Sequence, residues 1–112
     1  MRKLSKEFYY SNGQLWVKMP LFDTVIYNVK KYWSNGNLME DAFYFGGMYF
    51  GPYKYYYENG KLEEEGQFRD IPNRFVNRNF EQTTREGVWN FYDNKGILIK
   101  TQTFKNEKFH SK

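Results

Sequence analysis

The chain has 112 residues, with 17 Lys and Arg against 13 Asp and Glu, so its formal net charge is +4; this length suits one domain with one core. Three Trp, 11 Tyr and 11 Phe make up 22% of the residues, whereas Ala42 is the one alanine. Aromatic residues favour strands, while helices favour Leu and Ala. The composition excludes a helical bundle, and no apolar run approaches the roughly 18 residues of a membrane span.

The sequence contains no cysteine, and its one histidine is His110, which we expect to lie in a fraying tail. Zinc-thiolate sites, cysteine nucleophiles and Ser-His-Asp arrangements are therefore excluded. The basic residues are spread along the chain, whereas nucleic-acid-binding proteins typically carry a dense basic stripe. We expect no catalytic residue, cofactor, metal or nucleic acid, no secretory signal, and a location in the reducing cytoplasm.

Four segments of the sequence align without gaps when their turn glycines are superposed. The glycines are 23, 24 and 36 residues apart, and the last spacing equals one more unit plus an insertion of roughly 12 residues. A tyrosine lies four residues before each glycine, and a leucine lies two residues after it. The aligned residues are Gly13, Gly36, Gly60 and Gly96; Tyr9, Tyr32, Tyr56 and Tyr92; and Leu15, Leu38, Leu62 and Leu98.

The chemistry of the aligned turns predicts a β-hairpin in each unit. Asn-Gly tolerates the positive φ angles of a two-residue type I′ turn, whose twist matches the flanking strands. We expect this turn at the three Asn-Gly pairs, and a three-residue turn with a bulge at residues 94–96. The pairs expected in the third unit are Tyr57 with Leu62, Tyr55 with Glu64, and Tyr53 with Gly66.

Period-two alternation along these strands assigns one face of each hairpin to the core. The opposite face carries the four recurring tyrosines with Trp16, Met39, Phe43 and Ile99 among charged residues, and we expect it to be partly exposed. Four hairpins in sequence predict an all-β domain over residues 1–112, an elongated open antiparallel sheet of about eight strands. The predicted core face holds Phe8, Tyr10, Leu15, Val17, Met19 and Leu21; Val29, Trp33, Leu38, Ala42 and Tyr44; Tyr53, Tyr55, Tyr57, Leu62, Gly66 and Phe68; and Trp89, Phe91, Leu98 and Phe104.

An insertion over residues 69–86 interrupts the pattern between the third and fourth units. Insertions in repeat proteins often map to the binding side, and arginines beside phenylalanines combine bidentate donors with apolar anchors. The alternative is a loop that covers an open sheet edge with its two phenylalanines tucked in. The candidate partner-binding residues are Arg69, Arg74, Phe75, Arg78, Phe80 and Arg85.

The recurring tyrosines Tyr9, Tyr32, Tyr56 and Tyr92 are the second candidate binding surface. One interpretation is structural: aromatic stacking and cross-strand packing lock successive hairpins together. The other is functional, because a row of half-exposed tyrosines beside lysines suits protein binding. Both interpretations stay open at this stage.

Acidic residues offer little support for catalysis or metal binding. Glu40 and Glu64 occupy aligned positions and are the one carboxylate pair to consider for glycoside hydrolysis, but a half-exposed strand face explains them more simply. In Glu63-Glu64-Glu65 at most the first and third side chains converge, as on a solvated strand edge. We therefore predict that the protein is not an enzyme.

The cadence G-x-[YW]-x-x-Y-x-x-x-G-x-L, clearest over residues 51–62 and 87–98, resembles the MORN repeat (membrane occupation and recognition nexus), specifically its bacterial variant. The first two units depart from it, with Leu4 and Tyr27 in place of the upstream glycine. Many bacterial chains of this kind are labelled YwqK-type antitoxins, so the resemblance implies a protein-neutralising role. It implies no catalytic residues.

These observations favour a non-enzymatic protein-interaction module, most concretely an antitoxin or immunity protein that binds a toxin. A net charge of +4 makes a poor phosphate mimic, so we expect a partner with an acidic or neutral docking surface. The alternative is a peripheral module that binds anionic lipids through scattered Lys and Arg. Self-association through the open sheet edges is a further expectation.

Overall fold

The computed structural model describes residues 5–20, 26–45, 47–69 and 85–104. These residues form one eight-stranded sheet in which the strand order follows the chain, and every neighbouring pair is antiparallel. The strands are β1 (Ser5–Tyr9), β2 (Leu15–Pro20), β3 (Ile26–Tyr32), β4 (Leu38–Phe45), β5 (Met48–Tyr56), β6 (Leu62–Phe68), β7 (Arg85–Tyr92) and β8 (Leu98–Phe104).

The observed sheet confirms the predicted architecture of four hairpins in a row. The aligned glycines lie at the reversals β1–β2, β3–β4, β5–β6 and β7–β8. Within the described ranges there is no helix, and so none that could cross a membrane. The sheet is open, with β1 and β8 as its two edges.

The turn type predicted for the first three hairpins is wrong. Within each turn only the glycine has a positive φ, for example +94° at Gly60, and no residue other than glycine has one in the described ranges. In the third hairpin the Gly60 amide donates to the Tyr57 carbonyl, and the Tyr57 amide donates to the Lys61 carbonyl. This is a three-residue loop, a type I turn followed by a glycine bulge. All four hairpins share it, including the fourth, for which it was expected.

A bulge after each turn restores the strand register that the three-residue turn shifts by one residue. In each hairpin one extra residue stands on the second strand just after the turn; in the third hairpin Tyr56 pairs with Leu62 but Tyr55 pairs with Glu64, which makes Glu63 the bulged residue. The turn and the bulge each displace the pairing by one residue, in opposite senses. The predicted pairs Tyr55–Glu64 and Tyr53–Gly66 are therefore confirmed, whereas Tyr57–Leu62 is not.

The predicted core face contains every buried apolar side chain of the described residues. An aromatic cluster occupies its centre, where Tyr53, Phe68 and Trp89 contact one another with ring centroids 5.2–5.7 Å apart. Such edge-to-face and tilted contacts add to the free energy gained by burial. Leu21 also belongs to the predicted set but lies outside the described residues. The buried residues are Val17, Val29, Ala42, Tyr53, Phe68 and Trp89.

Assignments of side chains to faces fail at the sheet edges and bulges. The leucine after each turn was predicted on the core face, yet it pairs with the recurring tyrosine, which was predicted on the opposite face. Phe8 and Leu98 were predicted in the core but are 44% and 51% exposed, because β1 and β8 each have a neighbour on one side only. Trp16 was predicted on the face opposite Tyr10, yet the two rings lie 5.8 Å apart. Trp16 is the bulged residue of the first hairpin, and a bulge re-aims its side chain.

Small residues make room for the large aromatics of the next hairpin. A Cβ added to Gly66 would lie 2.2 Å from the Trp89 ring, so the indole rests directly on the glycine backbone. Ala42 has the corresponding place in the second hairpin, where it is the register partner of Tyr53. Gly66 therefore serves close packing and not a turn.

We predict that Gly66→Ala lowers the free energy of unfolding by about 1–3 kcal/mol, because the new methyl group must displace a ring that is 0% exposed. Urea denaturation monitored by Trp fluorescence measures this loss. Gln102→Ala is the matched control, since Gln102 has the aligned position in the fourth hairpin and is exposed. An unchanged midpoint for Gly66→Ala would contradict the packing described.

Candidate functional site

The structure describes only the two ends of the predicted binding insertion. Arg69 follows β6, and Arg85 begins β7 opposite Phe68. The remaining candidates of the insertion, Arg74, Phe75, Arg78 and Phe80, lie outside the described residues, as does His110. Their role as a binding surface stays a prediction.

Arg85 is held against the aromatic core. Its guanidinium carbon lies 4.2 Å from the Trp89 ring centroid and 5.9 Å from that of Phe104. Its Nη1 also lies 3.2 Å from a carboxylate oxygen of Glu64. Cation–π and ion-pair contacts together fix this side chain in place. Arg85 therefore closes the base of the insertion against the sheet.

Arg69 is also held at the base of the insertion, and it is only 4% exposed. Burial lowers the pKa of its guanidinium, while the charge of Glu86 on β7 opposes that shift. A buried arginine contributes to the fold more than to an exposed docking surface. Both described arginines of the insertion thus belong to its attachment.

The recurring tyrosines differ in exposure and in what their hydroxyls do. Tyr9 is 55% exposed, whereas Tyr32, Tyr56 and Tyr92 are half-buried. The Tyr9 hydroxyl donates to Glu7, and the Tyr92 hydroxyl donates to Glu65. These hydrogen bonds raise the pKa of both phenols.

Three of the recurring tyrosines, Tyr32, Tyr56 and Tyr92, join successive hairpins through their carbonyls and not through ring stacking. No ring contact among the described residues involves any of the four; the contacts run through other aromatic side chains. Instead, the aromatic residue after the tyrosine donates to the tyrosine carbonyl of the next hairpin. The three bonds run from Tyr10 Oη to Tyr32 O (2.7 Å), from Trp33 Nε1 to Tyr56 O (3.1 Å) and from Tyr57 Oη to Tyr92 O (2.7 Å).

The turn asparagines form a second row of bonds parallel to the first. Each asparagine accepts a backbone N–H of its own turn through Oδ1 and donates through Nδ2 to a carbonyl of the next turn. We call the two rows together the turn-edge ladder. The bonds of the second row run from Asn12 to Ser34 O (3.3 Å), from Asn35 to Glu58 O (2.9 Å) and from Asn59 to Asn94 O (2.8 Å).

Glu40 is buried, contrary to its expected place on a half-exposed face. It is 3% exposed, and Oε2 accepts hydrogen bonds from Tyr49 at 2.6 Å and Tyr53 at 2.9 Å. Lys31 Nζ lies 3.4 Å from Oε1. Burial, with this carboxylate as a further cause, raises the pKa of both tyrosines well above the ordinary value. Glu40 thus anchors two phenols and a lysine instead of pairing with Glu64.

The end of the fourth turn and the first residues of β8 expose an apolar segment. From the sequence, Leu98 was predicted on the core face and Ile99 on the opposite face. Ile97, Leu98 and Ile99, here called the C-terminal strip, are 58%, 51% and 62% exposed. Exposed lysines flank the strip at positions 95 and 100. Across the described ranges, no three Asp, Glu or His residues come together as a metal site. The strip is therefore a run of three consecutive exposed apolar residues with lysines beside it.

We predict that Tyr57→Phe lowers the free energy of unfolding by about 1 kcal/mol, because the Tyr92 carbonyl loses its donor. Tyr56→Phe is the matched control, since the Tyr56 hydroxyl donates no hydrogen bond within the described ranges; its change should stay within about 0.5 kcal/mol. Hydrogen exchange of the β7 amides should accelerate in the first variant only. Equal effects of the two substitutions would contradict the turn-edge ladder.

The buried phenols predict loss of stability at alkaline pH. Folding raises the pKa of Tyr49 and Tyr53, so their contribution is complete below about pH 10, the unfolded value, and declines as pH rises toward the folded value. Urea denaturation between about pH 9 and 11.5 should show a falling free energy of unfolding, with a shallower slope in Tyr53→Phe. Tyr9→Phe, at an exposed site, should change the slope less; an equal change would contradict this account.

Comparisons with known proteins agree with the four-hairpin repeat of the sheet. A family model described as MORN repeat variant matches residues 5–23, 28–45, 51–70 and 85–106, and these segments coincide with the four hairpins. No curated protein and no solved structure matched the chain. Repeats of this kind are non-enzymatic modules that generally mediate protein or membrane interactions. Because the matches cover well over half of the sequence, the chain belongs to the MORN repeat variant family.

Proposed function

We propose that this chain is a non-enzymatic protein-interaction module that acts as an antitoxin or immunity-type protein, with the C-terminal strip as its docking surface. The observation that carries the proposal is the exposure of Ile97, Leu98 and Ile99 on an open sheet edge. Apolar residues in the centre of an interface, with polar residues around them, are the usual arrangement at protein–protein contacts.

Charge indicates the kind of partner. Lys95 and Lys100 flank the strip, and both are exposed. A partner surface with an apolar centre and an acidic rim complements this arrangement, and such complementarity speeds association and selects partners. The proposed partner is therefore a folded protein with an acidic docking surface. We propose that the two proteins meet in the cytoplasm, the location predicted from the absence of cysteine.

The described charges favour a protein partner over an anionic lipid surface. The described residues hold ten Lys and Arg against nine Asp and Glu. Three of these cations already contact carboxylates, in the pairs Lys30–Asp41, Lys31–Glu40 and Arg85–Glu64. Lipid binding grows with the number of free basic residues near the surface, about 1 kcal/mol for each. A nearly balanced set of charges, part of it paired, gives weak attraction to a membrane.

We predict that Ile97→Asp with Ile99→Asp weakens binding to the protein encoded by the adjacent reading frame at least about tenfold, because two carboxylates replace the apolar contact. Titration calorimetry with the purified proteins measures this change, and loss of protection against the growth arrest caused by that protein is the corresponding result in cells. Thr101→Asp with Thr103→Asp is the matched control, since both residues are exposed on the same strand.

Each outcome of this experiment bears on the proposal. Absence of both binding and protection would contradict the antitoxin role. Binding that the strip variant leaves unchanged would move the docking surface elsewhere, and Arg74→Ala with Phe75→Ala then tests the insertion. Salt-sensitive sedimentation with anionic vesicles, but not with neutral ones, would instead favour the membrane-binding alternative.

A further inference from the structure

The turn-edge ladder has a direction, and its two ends differ chemically. In every bond between turns the donor belongs to the earlier hairpin and the acceptor to the later one. Six donors sit at two fixed places, three residues and one residue before the turn glycine; Asn37, just after the second turn glycine, also donates to the Glu58 carbonyl at 2.9 Å. The first place holds Tyr10, Trp33 and Tyr57, and the second holds Asn12, Asn35 and Asn59.

The fourth hairpin has neither the aromatic donor nor the asparagine donor found in the first three hairpins. Asp93 stands at the aromatic position, and Lys95 stands at the asparagine position. Asp93 Oδ1 accepts the backbone N–H groups of Lys95 and Ile97 at 2.9 and 3.0 Å, and these bonds lower the pKa of its carboxyl. Asp93 thus stabilises its own turn, as the asparagines do in the other three, and offers only acceptor atoms to a following hairpin.

The first hairpin, in contrast, presents the acceptor end of the ladder. Its aligned carbonyls are those of Tyr9 and Ser11, and no described residue precedes β1 to supply donors for them. Phe8, Tyr9 and Trp16 are 42–55% exposed on this edge. Within the chain, carbonyls at these positions accept hydrogen bonds from the preceding hairpin. The β1 edge therefore presents the same acceptors to any hairpin that docks there.

We propose that Asp93 and Lys95 terminate the array, and that they keep β8 of one copy from docking on β1 of a second copy. Head-to-tail docking would continue the antiparallel order of the sheet, and a contact of this kind that does not close into a ring produces open-ended filaments. With Asp93 in place, a carboxylate would face the Tyr9 carbonyl of the next copy, an acceptor against an acceptor. The inference does not depend on which partner the module binds.

The test transplants the donors of the first three hairpins into the fourth. Asp93→Tyr with Lys95→Asn supplies both donors, and the introduced asparagine takes over the turn bond that Asp93 makes. Sedimentation velocity at about 0.1–1 mM should show a monomeric native protein and a variant whose average mass rises at least about twofold with concentration. Lys95→Asn alone leaves the carboxylate in place and should stay monomeric.

Mixing distinguishes directional growth from unspecific aggregation. The native protein keeps the acceptor edge but lacks the aromatic and asparagine donors of the ladder, so it should add to the donor end of the variant chains and stop their growth. Average mass should fall as the native fraction rises. Native protein that already forms head-to-tail chains, a folded double variant that stays monomeric, or assemblies that native protein does not shorten would each overturn the proposal.

A reverse transplant tests the same residues within one chain if the double variant does not fold. Tyr57→Asp with Asn59→Lys places the terminating pair in the third hairpin, where a fourth hairpin follows. The β7 and β8 amides should then exchange at least about tenfold faster, and with a smaller urea dependence than those of β3 and β4, because the fourth hairpin opens by itself. No acceleration of β7 and β8, or a urea dependence that stays equal to that of β3 and β4, would contradict the terminating role.

Discussion

The fold depends on hydrogen bonds that run from one turn to the next along a single edge of the sheet. A one-layer sheet buries few side chains completely, and one hairpin alone cannot bury its apolar face. Coupling between hairpins must therefore come from their shared strand pairing, from the aromatic cluster around Trp89, and from the turn-edge ladder. The ladder is the part that has a direction, because each donor finds its acceptor in the hairpin that follows.

Much of the architecture was predictable because one short pattern repeats. Glycine at a reversal, with alternating aromatic residues on both sides, specified the hairpins and the strand order. The predicted register survived an error in turn type, since the glycine bulge and the bulge at Glu63 displace the pairing in opposite senses. Side-chain faces failed where a residue was itself the bulge, as at Trp16, or lay on an edge strand, as at Leu98.

The candidate site was less predictable, for reasons that the contacts make plain. The acceptors of the ladder are backbone carbonyls, which leave no trace in residue identity, so the tyrosines that precede each turn suggested stacking instead. Glu40 looked like an ordinary charged strand residue because its partners, Tyr49 and Tyr53, come from the next hairpin. The departure of Asp93 and Lys95 from the pattern was visible in the alignment, but its meaning depended on knowing what the other hairpins do at those positions.

The same structure relates the interaction surface to the limits of the array. The proposed terminating residues, Asp93 and Lys95, lie beside the C-terminal strip, so the two proposals concern the same edge of the sheet. Arg69 and Arg85, in contrast, are engaged with the sheet and hold the base of the insertion. A scaffold built in this way separates residues that hold units together from residues that meet other molecules.

Native-state hydrogen exchange in increasing urea tests most directly whether the hairpins form one coupled array. The account predicts that amides of β3–β4 and β5–β6, each with ladder bonds on both sides, open together, with the free energy and urea dependence of global unfolding. Separate opening of each hairpin, with a small urea dependence of its own, would contradict it.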